Sequence, residues 1–167
     1  MVKAARALPV AFEQGSDVMA REDMSWAALL SGMALANAGL GVVHGFAAPL
    51  GGMLHAPHGA ICAAILPHGM AVNVAALRER APASKALNRY RQVAVWLTGE
   101  AEADAEAGVQ FVAKLCSELA VRPLRSLGLT EQQISRVVER AAQASSMNGN
   151  PLPLLERELR EVAERAW

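Results

Sequence analysis

Charged residues are missing from a long internal part of this chain. No Asp, Glu, Lys or Arg occurs between Asp23 and Arg78. Over the whole chain, charged residues make up 19%, and the acidic and basic side chains balance to a formal net charge of zero. Because nucleic acids and anionic membrane surfaces attract basic proteins, this balance argues against either one as the main partner.

Cysteine is equally scarce. Cys62 and Cys116 are the only two, and their wide separation is neither a zinc-ligand spacing nor a disulfide framework. We therefore predict a reducing, cytoplasmic environment, with Cys62 as a small core residue. The N-terminal stretch MVKAARALPVAFEQG has no long apolar run, so it does not have the pattern of a signal peptide.

Two parts of the uncharged segment are long enough to cross a bilayer, which needs about 20 apolar residues. Residues 24–43 are rich in Ala, Gly, Ser and Asn, and residues 59–77 have Pro67 and His68 at their centre. Neither composition is typical of a lipid-exposed span. We therefore predict that both parts form helices buried on all sides of a helical domain, and we expect no membrane partner.

Strand patterns are also lacking, since no useful alternation of apolar and polar residues occurs. Ser16 or Asp17 is predicted to cap a helix that ends near Asn37, and Thr130 with Gln133 has the spacing of a capping box. The predicted helices cover residues 3–13, 17–37, 59–77, 86–97, 101–119, 129–144 and 155–166, with a short, broken helix within 42–54 and a loop at 145–153. Pro67 predicts a kink or a break in its helix.

With its 167 residues the chain is long enough for one domain and too short to expect two. At 53% hydrophobic residues it can bury a substantial core. We therefore predict a single all-α domain over residues 1–167, arranged as a bundle-like array of helices.

Histidine is rare but concentrated. Three of the four histidines lie in residues 41–59, GVVHGFAAPLGGMLHAPHG. On one straight helix His44 and His58 would be about 21 Å apart, too far to share a metal ion. The prolines and glycines between them can fold the chain back, so the two imidazoles could converge.

Two neutral imidazoles can bind a divalent metal, but a catalytic site commonly has three or more protein ligands. None of the three aspartates has a histidine three or four residues after it, so no helical Asp/His pair completes the set. The residues alone therefore leave two interpretations open. The histidines could bind a metal, or they could be core residues bonded to backbone carbonyls.

The run GMALANAGLGVVHGFAAPLGGMLHAPHGAICAAILPHGMAVN combines G-L-G-x-x-H, L-G-G, P-H-G and L-P-H. It resembles the C-terminal helical domain of iron-containing (group III) alcohol dehydrogenases, and the likeness continues through SSMNGNP to the terminal helix. The resemblance implies that His44 and His58 are ligands of a divalent metal, iron or zinc. It places His55 near the cofactor cleft. Many members carry a further histidine four residues after the first metal histidine, where this chain has Ala48.

The resemblance also implies what is missing. Two further ligands, an Asp and a His, and the α/β domain that binds NAD(P) lie upstream of the region that this chain resembles. The complete enzyme interconverts alcohols and aldehydes by hydride transfer beside a Lewis-acid metal. The isolated chain is therefore expected to be inactive, with an N-terminal α/β polypeptide as its partner.

Two alternatives remain open. The chain could be a non-catalytic helical module that only self-associates or binds a partner. His44 and His58 from two chains could also meet across a dimer interface and form a four-histidine metal site. Since the absence of a cofactor domain would expose apolar surface, we expect a homo-oligomer, most simply a dimer.

Overall fold

The computed structural model describes residues 1–167 and contains helices but no strand. The α-helices are α1 (Val2–Glu13), α2 (Val18–Ala38), α3 (Val42–Gly51), α4 (His58–Arg80), α5 (Lys85–Thr98), α6 (Ala105–Glu118), α7 (Ile134–Ala142) and α8 (Glu156–Ala166). Short 3-10 helices cover Leu124–Leu127, Glu131–Gln133 and Ser145–Gly149. The all-α prediction is confirmed, whereas the assignment of residues 1–167 to one domain stays a prediction.

Local sequence signals set several helix ends as predicted. The Asp17 carboxylate accepts a hydrogen bond from the backbone N–H of Ala20 at 2.8 Å, which caps the start of α2. Gly39 follows the last residue of α2 with a φ of 74°, a conformation that favours glycine. The capping box of Thr130 and Gln133 is present, with the Gln133 side chain accepting from the Thr130 N–H at 2.9 Å.

The buried core forms where α3, α4, α7 and α8 meet. Phe46 and Leu50 of α3 and Ile61 and Ile65 of α4 are among its largest fully buried side chains. By length and composition α4 could cross a membrane, and α2 with α3 would pass the same test as one span bent by 100°. However, 56% of the apolar window of α4 is buried inside the protein, as in a core helix.

We predicted a kink or a break at Pro67; α4 runs through this residue without a break, while the kink stays a prediction. Pro67 has no N–H to donate to the carbonyl oxygen of Ala63 four residues earlier. The Cys116 thiol of α6 lies 3.8 Å from that oxygen and provides a weak donor in its place. α4 also packs against α3, α6 and α8.

The prediction that α2 is buried on all sides is also wrong. α2 packs mainly against α1, which in turn touches α5, and Ala20 is its only buried residue. Seven of its large apolar side chains are about half exposed or more, from 48% for Trp26 and Leu35 to 75% for Val18. Four of them, Trp26, Leu29, Leu30 and Met33, have the spacing that shares one side of a helix, and we call this exposed surface the α2 apolar face. An uncharged composition indicates burial, but it does not tell whether the covering surface belongs to the same chain.

Candidate metal centre

The starts of α3 and α4 bring two of the predicted site residues together. His44 lies in the first turn of α3 and His58 is the first residue of α4. The connection between the two helices reverses the chain, and the ring centroids of His44 and His58 lie 5.5 Å apart at an interplanar angle of 45°. The expected convergence of these imidazoles is therefore present. Their role as metal ligands stays a prediction.

A third donor, Cys62, belongs to the same cluster. The donor atoms of His44, His58 and Cys62 all lie within 4.8 Å of one another, and Cys62 Sγ is 3.4 Å from His58 Nε2. Residues four apart on a helix share a face, so the His58 and Cys62 spacing on α4 produces this contact directly. Cys62 does pack against the core as expected, but its thiol also faces the histidines. The four-residue spacing of His58 and Cys62 could therefore have identified this third donor from the sequence.

The surroundings of His44 favour its neutral form. Burial, and secondly the charge of His58, lowers the pKa of His44 below its usual value. His44 is therefore neutral at neutral pH, which is the form that binds a metal. Burial raises the pKa of the Cys62 thiol. The chemistry of the donor set, two imidazole nitrogens and one sulfur, fits a divalent transition metal.

His55 lies apart from this cluster. It is exposed in the connection between α3 and α4 and does not line the cleft described below. Its assignment as a cofactor-binding residue stays a prediction. Ala48, one turn after His44 on α3, is exposed and has no group that could carry a proton.

An open cleft of about 740 Å³ borders the cluster. His44 and Cys62 lie on its wall, together with the apolar side chains of Val43, Leu66 and Met70. A small molecule in this cleft would meet an apolar surface and the donor atoms of the cluster. This combination is typical of ligand sites, which are mostly apolar with a few polar groups.

Asn150, expected from the sequence only to suit a tight turn, holds the start of α3 in place. Its Oδ1 accepts a hydrogen bond from the Val42 N–H at 3.0 Å, and its Nδ2 donates to Asn73 Oδ1 at 2.8 Å and to the Leu152 carbonyl at 2.9 Å. The Val42 N–H is one of the donors that a helix start leaves without an intrahelical partner. Asn150 therefore caps, from a distant part of the chain, the helix that carries His44.

Close backbone contacts fix the same region. A Cβ atom at Gly149 would lie 2.0 Å from the carbonyl oxygen of Leu40, just before α3. A Cβ at Gly69 of α4 would lie 2.9 Å from Cγ1 of Val42. Both glycines therefore permit an approach that any larger residue would prevent, and they set how closely α3 meets its neighbours.

Comparison with known proteins agrees with this architecture. Residues 1–167 match the Fe-containing alcohol dehydrogenase family, C-terminal. The chain is 33% identical to a 1,3-propanediol dehydrogenase of Citrobacter freundii over 98% of its own length and 41% of that protein. It is 30% identical to alcohol dehydrogenase 4 of Saccharomyces cerevisiae, covering 96% of this chain and 40% of the relative.

Solved structures show the same relationship. A 1,3-propanediol oxidoreductase superposes with a TM-score of 0.87 at 30% identity, over 99% of this chain and 43% of that one. An alcohol dehydrogenase from Oenococcus oeni gives a TM-score of 0.83 at 26% identity, over 99% of this chain and 44% of that one. The chain thus spans about two-fifths of the length of the relatives it matches. It belongs to the iron-containing alcohol dehydrogenase family and corresponds to the C-terminal helical domain of its members.

Proposed function

We propose that this chain is the metal-binding helical part of an NAD(P)-dependent alcohol dehydrogenase, in which His44 and His58 hold a divalent metal, iron or zinc. The observation that carries the proposal is the 5.5 Å separation of the two imidazole rings at the starts of α3 and α4. Family membership supports the reaction class, since the relatives named above are alcohol dehydrogenases and an oxidoreductase.

The residues of this chain have defined parts in that function. His44 and His58 would hold the metal, which when bound acts as a Lewis acid on an alcohol or aldehyde oxygen. Val43, Leu66 and Met70 line the adjoining cleft and would exclude water from an apolar substrate. The NAD(P) site and the further ligands would come from an N-terminal α/β polypeptide, so the chain alone is incomplete.

Co-expression with an N-terminal α/β half tests the reaction class. We expect metal-dependent NADH or NADPH formation from short alcohols by the complex, and its loss in the His44→Ala and His58→Ala variants. His68→Ala is the matched control, because His68 lies outside the cluster and should leave the reaction intact. A stable complex without activity on any short alcohol would contradict the proposal.

The α2 apolar face supports a proposal about partners. Large exposed apolar patches are uncommon on monomers and usually mark interaction surfaces. We propose that this face is covered by the N-terminal polypeptide in the complex, and by a second copy in the isolated chain, which gives a homo-oligomer, most simply a dimer. No nucleic-acid or membrane partner is proposed. Both cysteines are free thiols, which suits a cytoplasmic location.

Sedimentation of the isolated chain tests this surface. A Leu30→Lys/Met33→Lys variant places two charges in its centre and should shift an oligomer to monomer, whereas a Lys substitution at exposed Gln132 should not. An oligomeric wild type also keeps open the second candidate function, a helical module that only self-associates. A wild type that remains monomeric at micromolar concentration would contradict both the proposed homo-oligomer and the self-associating module.

A further inference from the structure

We propose that the Cys62 thiolate is a third ligand, so that His44, His58 and Cys62 together bind a metal ion in the isolated chain. The inference rests on the proposed role of His44 and His58, and it adds a ligand of a different chemical class. It predicts a preference for thiophilic, borderline-soft ions such as Zn²⁺ and Co²⁺ over hard ions such as Mn²⁺ and Mg²⁺.

The distances agree with ligation. A tetrahedral ion with about 2.3 Å to sulfur and about 2.0–2.1 Å to nitrogen separates these two ligand atoms by about 3.6 Å. Cys62 Sγ and His58 Nε2 lie 3.4 Å apart, and the His44 donor lies within 4.8 Å of both. Small side-chain rotations would therefore close the three donors around one ion, with no change in the backbone of α3 or α4.

The surroundings of Cys62 also suit a ligand. The residue is half-buried, and it lines the same cleft as His44, so an ion can reach the thiol from solvent. Burial disfavours the free thiolate, but a coordinating metal deprotonates a thiol outright. Three protein donors with one position left open is the ligand count of catalytic zinc sites. The cleft lies beside these donors, where a water or substrate oxygen could approach.

Cobalt substitution of the isolated chain tests the ligand directly. The metal-free protein is titrated with Co²⁺, and the absorption spectrum and the metal-to-chain ratio are recorded. We expect one ion per chain and a thiolate-to-cobalt charge-transfer band in the near ultraviolet. The Cys62→Ser variant should lose the band and bind the ion at least about tenfold more weakly, since even partners outside the ligand set are worth that much.

Cys116→Ser is the matched control. Cys116 is the other half-buried free cysteine, but its thiol points to the Ala63 carbonyl rather than to the histidines. This variant should keep the band and the affinity. The helical signal in circular dichroism establishes whether each variant is folded. If Cys62→Ser is not folded, Cys62→Ala replaces it in the test.

Other outcomes would overturn the inference. Co²⁺ bound without a charge-transfer band would show that Cys62 is not a ligand, while His44 and His58 could still serve the complex. A ratio of one ion for two chains would favour a site shared across a dimer interface. An isolated chain that binds no Co²⁺ would remove the self-contained site, and the activity of the complex would then decide the proposed function separately.

Discussion

Replacing Asn150 by Ala should be among the most damaging single changes outside the core, although Asn150 lies in a surface loop. The side chain serves three partners at once: the Val42 N–H at 3.0 Å, the Asn73 side chain at 2.8 Å and the Leu152 carbonyl at 2.9 Å. Asn73 is only 3% exposed, and in the folded protein its Oδ1 depends on Asn150 for a donor.

The size of the effect follows from these contacts. A buried polar group that loses its partner costs about 1–3 kcal/mol, and loss of a helix cap costs about 0.5–2 kcal/mol. Asn73 Nδ2 loses its bond to Asn150 Oδ1 at 3.1 Å but keeps the one to the Tyr90 hydroxyl at 3.2 Å, so Oδ1 is the Asn73 atom left without a partner. We therefore expect Asn150→Ala to lower the free energy of unfolding by about 2–4 kcal/mol.

Urea unfolding followed by circular dichroism measures this difference. Asn148→Ala is the matched control, because Asn148 lies two residues away in the 3-10 helix Ser145–Gly149, is exposed and has no side-chain hydrogen bond within the protein. Its effect should stay within about 0.5 kcal/mol. Equal stability of the two variants would refute the view that Asn150 anchors α3. Because Val42 precedes His44 by two residues, Asn150→Ala should also weaken metal binding.

Three further changes test other contacts. Gly149→Ala should destabilise the fold by about 1–3 kcal/mol in thermal unfolding, because the new Cβ would overlap the Leu40 carbonyl oxygen. A melting temperature equal to that of the wild type would contradict this overlap. Glu158→Ala should lower the free energy of unfolding in urea by about 1–3 kcal/mol, since the buried Glu158 carboxylate accepts hydrogen bonds from Arg80 Nε at 3.1 Å and Arg80 Nη2 at 2.8 Å. Burial lowers the pKa of His68, so the unfolded chain binds the His68 proton more tightly than the folded one. The free energy of unfolding should therefore fall as the pH drops below about 6.5. In urea unfolding with a chelator present, His68→Gln should reduce the difference in this free energy between about pH 7.5 and about pH 5.5.

Local signals in the sequence were sufficient for most of the helices. The Asp17 cap and the Thr130 and Gln133 capping box depend on residues three apart, so they can be recognised without knowing the rest of the fold. The convergence of His44 and His58 could be expected because proline and glycine between them permit a reversal. The resemblance then identified them as the candidate ligands.

What the sequence did not reveal depends on contacts between distant residues. Local sequence around Pro67 predicted a break that the structure does not have. The Cys116 thiol on another helix faces the Ala63 carbonyl oxygen that the proline leaves without a donor, and this contact cannot be inferred from local sequence. Asn150 caps a helix whose first residue is far away in the chain. The prediction for α2 failed for the opposite reason, since the rest of this chain leaves about half of its apolar face exposed.

Zinc binding by the metal-free chain tests the central claim most directly. A competition titration against a chromophoric chelator should show one Zn²⁺ bound by the wild type and loss of that binding in the His44→Ala/His58→Ala double variant. A His68→Ala variant, which removes a histidine outside the cluster, should bind as the wild type does. Equal affinity of the double variant and the wild type would contradict the assignment of His44 and His58 as metal ligands.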